Sequence, residues 1–148
     1  SQWKDPVILP TVLKLIHDKD GRVRANAIDV LSHFPDHIQE LKLGPALLED
    51  KNNRALANAC LLLSAKYPEQ TFHTLKRMFA SENMLMRASS AWALGRYPRA
   101  EVATVLLEKL KVEKEELVIN QLVSSLGIIS KSAPTVEAMI ETVLKGMP

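Results

Sequence analysis

Between residues 22 and 34 the apolar side chains Val23, Ala27, Val30, Leu31 and Phe34 fall at i, i+4, i+7, i+8 and i+11, one stripe along a helix, while Arg22, Asn26, Asp29 and His33 occupy the other side. Pro35 predicts the end of that helix in "HFPD", because it withholds a backbone donor and disfavours helical geometry at the residue before it. The same phrase returns in blurred form as "RALANACLLLSAKYP" from Arg54, "LMRASSAWALGRYP" from Leu85 and "LVINQLVSSLGIIS" from Leu117. The matching leucines Leu31, Leu63, Leu94 and Leu126 are 32, 31 and 32 residues apart, a regularity that a closed helical bundle has no reason to keep. The chain reads as an array.

Each copy follows a polar turn, "DKDG" at 18, "DKNN" at 50, "SENM" at 81 and "EKEE" at 113, and each turn follows another apolar-striped segment. The unit is helix, turn, helix. First helices are predicted at roughly 7–17, 38–49, 70–80, 100–111 and 135–145. The last has no partner and is expected to begin at a Ser132 or Thr135 cap, with a stripe of Val136, Met139, Ile140 and Val143. It either seals the array or marks a piece of a longer one. Strict alternation of apolar and polar residues is scarce, so no strand is expected. The predicted fold is an all-α solenoid of about four repeats plus a terminal helix, one domain over residues 1–148. Since one hairpin cannot bury its own stripe, neighbouring copies cover each other; Ala25, Ala27, Ala57, Ala59, Ala88 and Ala91 allow close approach while the leucines fill the layer.

These residues resemble HEAT repeats, of the short PBS-lyase HEAT-like variety. The likeness is carried by Asp18, Asp20, Val23, Arg24, Ala27 and Leu31, echoed by Asp50, Ala59 and Leu63 and by Met86, Arg87 and Leu94. It covers nearly the whole chain. The resemblance implies a polar ladder between units, built from an acid in the turn and an arginine early in the second helix: here Asp18, Asp50, Arg24 and Arg87. Leu56 and Ile119 stand at the arginine position of the other two units, so the ladder is expected to be interrupted. Tetratricopeptide repeats, with a period of about 34 residues and a Trp, Gly and Tyr pattern missing here, fit less well.

A small rotation per unit would bend such a stack into an arc lined inside by second helices. Their outward residues are Arg22, Asn26, Asp29 and His33; Arg54, Asn58, Leu61 and Ala65; Leu85, Ser89, Trp92 and Arg96; and Leu117, Gln121, Ser124 and Ile128. From these, Arg22, Asn26, Asp29, Arg54, Asn58, Ser89, Trp92, Arg96 and Gln121 are the candidate partner-binding residues. Trp92 stands out, since tryptophan beside arginine has the composition of an interface hot spot. The alternative reading lays its ring along the groove between two second helices.

Composition removes other classes. A chain of 148 residues, 47% hydrophobic and 24% charged, is ordinary for a folded domain. Its 19 basic and 17 acidic residues leave a net charge of only +2, too little to advertise nucleic acid or an anionic membrane. No run approaches about 18 consecutive apolar residues, and "SQWKDPVILP" lacks the pattern of a signal peptide, so neither membrane insertion nor secretion is expected. The lone Cys60 fits a reducing, cytoplasmic setting and a buried, inert thiol.

Candidate chemistry is equally sparse. His33 and His37 have the i, i+4 spacing of half a zinc site, but Pro35 breaks the helix between them. His17 and His73 have no partner motif, and the His-Glu pairs of HEAT-like iron hydroxylases are missing. "DKDG" opens like a calcium loop and then continues as "RVRANA", without ligands. The five glycines form neither a phosphate-cradling loop nor a Gly-x-Ser-x-Gly elbow. "KLKVEKEE" at 109–116 mixes both signs and reads as a solvated turn. The expectation is a non-catalytic protein–protein interaction scaffold without metal or cofactor, binding a protein or peptide on the concave face. The runner-up is a nucleic-acid-binding domain resembling HEAT-like DNA repair glycosylases, with Arg22, Arg54, Arg96 and Trp92 on phosphates or a base and Asp29 as an acid. A chromophore-lyase subunit is a third class, on repeat type alone.

Overall fold

Polar turns fix where the helices begin. The computed structural model describes residues 5–148. A 3-10 turn at Pro6–Ile8 leads into α1 (Leu9–Leu15), followed by α2 (Gly21–Leu31), the short α3 (Pro35–Ile38), a second 3-10 turn at Pro45–Glu49 and α4 (Asn53–Leu62). Then come α5 (Pro68–Phe79), α6 (Met84–Leu94), α7 (Val102–Leu110), α8 (Glu116–Ser130) and α9 (Pro134–Lys145). Asp20 caps α2 by accepting the Arg22 amide at 2.8 Å, Asn52 caps α4 through the Ala55 amide at 3.0 Å, and Asn83 caps α6 through the Leu85 amide at 2.9 Å. Each side-chain oxygen satisfies a donor that no intrahelical carbonyl reaches. The sequence copies at 22, 54, 85 and 117 thus become α2, α4, α6 and α8. No helix among the described residues is long and apolar enough to cross a membrane. The opening stretch read above for a leader includes residues 1–4, which lie outside the described residues.

The chain divides into two compact units, Ser1–Thr74 and Leu75–Pro148. In the first, α2 packs against both α1 and α4. Leu31 and Leu63 are buried, as are Ala25, Ala57 and Ala59. Contact on two sides turns the buried stripe of α2: Ile28, absent from the predicted stripe, is fully buried, while Val23 and Val30 are only half-buried. Asn58 Nδ2 donates to the Ala25 carbonyl at 2.9 Å, tying α4 to α2.

The continuous first helix expected over 38–49 does not form. Gly44 takes extended geometry (φ −105°, ψ 172°) ahead of Pro45, as the crowding of a proline ring on the preceding residue requires, so the segment splits into α3 and the second 3-10 turn. Leu43 and Leu48 still reach the core, and Lys66 Nζ donates to the Leu43 carbonyl at 3.2 Å.

The second unit holds α6 against α8, with α7 and α9 also packed on α8. Leu94 and Leu126 are fully buried. Ser125 is the seam: its Oγ donates to the Ala91 carbonyl at 2.7 Å, and Gln121 Nε2 donates to that Oγ at 3.2 Å. Gly95 lies against the same serine so closely that a Cβ there would stand 2.6 Å from both Ser125 Cβ and Oγ. Gly127, one repeat later, has open space at the equivalent point. Gly95→Ala is therefore expected to destabilise the chain by about 1–3 kcal/mol through overpacking. Gly127→Ala should be neutral or stabilise by up to about 1 kcal/mol, because alanine favours the helix and meets nothing. Urea unfolding of both variants checks the opposite signs; equal effects would reject the close seam.

At α9, neither Ser132 nor Thr135 is the cap. Ala133 holds that position without a side-chain bond, and Pro134 starts the helix with the φ that a first turn needs. Of the expected stripe only Val136 is buried, whereas Met139 remains 44% exposed.

Candidate functional site

The candidate residues divide by what their side chains already do. In the first unit Arg22 is exposed and paired at 3.1 Å with Asp20, the residue that caps its helix. Arg54 NH2 donates to Asn26 Oδ1 at 3.4 Å, joining α4 to α2 at the surface. Asp29 is exposed, and its carbonyl accepts from Ser32 Oγ at 2.6 Å at the end of α2. Asn58 is half-buried on Ala25 as the inter-helix tie described above.

In the second unit Ser89 is half-buried, and Gln121 is occupied at the Ser125 seam. Trp92 and Arg96 come together. The Arg96 guanidinium lies 4.4 Å from the centre of the Trp92 ring, and its NH1 donates to the Trp92 carbonyl at 2.8 Å. One helical turn separates the two, so arginine closes the end of α6 and stacks on the indole at once. Burial pushes the Arg96 guanidinium below its ordinary value. Leu85, Leu117 and Ile128 were placed on the outward side by the period but left out of the candidate contacts; they are 48%, 49% and 37% exposed.

A second polar feature belongs to the interior edge of each unit. Arg24 meets the Asp50 carboxylate with Nε at 2.7 Å and NH2 at 2.9 Å, and its NH1 donates to the carbonyls of Asp18 and Lys19. Arg87 repeats this with Glu113 at 2.9 and 3.1 Å and with the carbonyls of Ser81 and Glu82. Both pairs join residues 26 apart. The expected ladder thus appears with two changes. Asp18 contributes its backbone carbonyl to Arg24, while its carboxylate accepts the Asp20 amide at 2.8 Å. Glu113, read as part of a solvated turn, has a side chain only 5% exposed, pinned by Arg87 and, at 3.8 Å, by Lys109. Its distance of 26 residues from Arg87, equal to that of Asp50 from Arg24, was the available signal.

Burial opposes the charge of Asp50, but hydrogen bonds from Arg24 and from the Asn52 and Lys51 amides outweigh it and hold the carboxyl below its ordinary 3.8. For Glu113, burial is likewise outweighed by Arg87 and by the Glu115 and Lys114 amides, leaving it below 4.5. These are fixed structural carboxylates. The groove between α7 and α9 has an apolar wall of Leu107, Met139 and Val143, and its charges, Glu108 and Lys111, are paired with each other at 2.7 Å. Among the described residues no group of three or more His, Cys, Asp or Glu side chains is arranged to hold a metal ion. Cys60 is buried.

A family model described as HEAT repeats matches residues 40–127, more than half of the chain, and another, described as HEAT repeat, matches residues 8–34, which contain α1 and α2. Comparison with curated proteins finds no match.

Proposed function

The chain belongs to the HEAT repeat family, and from that premise we propose that it is a non-catalytic protein-interaction scaffold, taking a protein or peptide partner on the outward face of its second helices. HEAT repeats in general serve as such scaffolds. The observation that carries the reading is the Trp92–Arg96 stack, a tryptophan and an arginine held at the surface by their own helix. Tryptophan and arginine are enriched among the few residues that carry most of an interface's binding energy.

Replacing Trp92 and Arg96 together with alanine is expected to abolish partner capture from a lysate while leaving helical circular dichroism unchanged. Capture that persists without both side chains would reject this face. The nucleic-acid alternative gains nothing from the geometry. Arg22 is neutralised by Asp20 and Arg54 is turned toward Asn26, whereas phosphate binding needs several uncommitted cations along one track. Titration with random duplex DNA at low salt is expected to show no binding; salt-dependent binding would revive it.

A further inference from the structure

The second helices change character along the chain. In the first unit their outward positions are mostly polar, with Arg22, Asn26, Asp29, His33, Arg54 and Asn58 beside Leu61 and Ala65. In the second unit they are Leu85, Ser89 and Trp92 on α6 with Arg96 just beyond its end, and Leu117, Gln121, Ser124 and Ile128 on α8. Ser125 bonds to Ala91 and touches Gly95, so it lies level with the residue midway between them. That register sets Leu117 beside Leu85, Ser124 beside Trp92 and Ile128 beside Arg96. Exposed Leu85 and Leu117 therefore lie side by side two helical turns, about 10 Å, before Trp92, and Ile128 lies level with Arg96.

The charge is uncompensated. α6 contains no acidic residue, and the only one in α8, Glu116, is at its first position. Arg87, the cation of α6 itself, is committed to Glu113. Among the described residues Arg96 has a carbonyl and a ring for neighbours and no carboxylate. Its guanidinium stacks on the ring while the residue stays exposed, and most of its fork of N–H donors points to no protein acceptor. An opposite charge arriving beside it gains a strong, directional pair.

We infer that this face of the second unit docks an acidic peptide segment, in which a carboxylate pairs with Arg96, an adjacent apolar side chain rests on Trp92 and a further apolar residue of the peptide reaches Leu85 and Leu117. The inference rests on the scaffold reading and names the chemistry of the partner. A polyphosphate backbone fits poorly, since one cation among aliphatic groups cannot follow a row of phosphates. An anionic membrane would likewise require a basic cluster.

Panning the full chain against a displayed library of random short peptides tests this. Enriched sequences are expected to place Asp or Glu next to Leu, Ile or Phe. Affinity for the synthetic consensus peptide should fall by about tenfold or more on Trp92→Ala and on Arg96→Glu, with circular dichroism confirming that both variants fold. Arg96→Lys, which keeps the charge and loses the fork, should fall in between. A consensus peptide with its acid changed to Lys should bind Arg96→Glu better than it binds the unaltered chain. Basic or uncharged consensus sequences, or affinity indifferent to Trp92 and Arg96, would overturn the inference; peptide binding lost instead on changing Arg22 and Arg54 would overturn it while sustaining the scaffold. A library that enriches nothing also overturns it, and the capture experiment then decides the scaffold reading by itself.

Discussion

Truncating Leu63 to alanine is expected to lower the free energy of unfolding by about 2–5 kcal/mol. Leu63 is 1% exposed at the end of α4, so the substitution removes buried methyl groups and asks the surroundings to close the space. They are poorly placed to do so. Ala55, Ala57 and Ala59 of the same helix are already buried with side chains too short to reach into a cavity, and Leu31 is itself fully buried. Alanine is also a better helix former than leucine, so propensity does not explain any loss. Against a total of about 5–15 kcal/mol for a domain, the change is large. Urea unfolding followed by circular dichroism measures it. Leu85→Ala is the control: 48% exposed, it should shift stability by no more than about 0.5 kcal/mol. A similar loss in both variants, or a Leu63 loss below about 1 kcal/mol, would show that the repeat leucines are not the core.

The repeat period was legible because it is written in the same residues that do the packing. Leu31, Leu63, Leu94 and Leu126 are visible as a spacing and are buried for a shared reason, the packing within each unit of one second helix on the other, α2 on α4 and α6 on α8. Turn residues were legible for a local reason, since Asp20, Asn52 and Asn83 act on amides two or three positions away. What failed depended on competition or on partners distant in sequence. The apolar pattern over 38–49 is helical in spacing, but Gly44 and Pro45 override it through backbone sterics. Glu113 looks solvated in its charged neighbourhood, and only the arginine 26 residues earlier buries it. The candidate surface was legible as a list of positions, not as a set of free groups. Period alone cannot tell that Asn58 and Gln121 are engaged between helices, or that Arg96 stacks on Trp92 with no acid beside it.

Those two buried carboxylates carry the other large expectation. Glu113→Gln and Asp50→Asn should each cost about 1.5–3 kcal/mol at about pH 7, the usual worth of hydrogen bonds to a charged group. Their side chains are only 5% and 9% exposed, so an amide that cannot accept the arginine fork leaves a guanidinium partly unsatisfied with little water to replace the acid. The pairs lie in different units and share no partner, so the double variant should show the two losses added. Acid then separates charge from packing. Because both carboxyls titrate lower in the folded chain than their ordinary 4.5 and 3.8, the unfolded chain takes up protons first as pH falls. The stability they contribute is complete above those ordinary values and drains away as pH drops through the depressed ones. The unaltered chain should therefore lose stability steeply below about pH 4.5, and the double variant, weaker at neutrality, should follow a flatter curve that approaches it. High salt should leave this difference in place while removing any share from the exposed Asp20–Arg22 pair, whose charges are screened. Urea midpoints across the acid range at low and high salt decide the matter: parallel curves for the two proteins would mean that Arg24 and Arg87 do not hold these carboxylates charged, and that the repeats are joined by apolar packing alone.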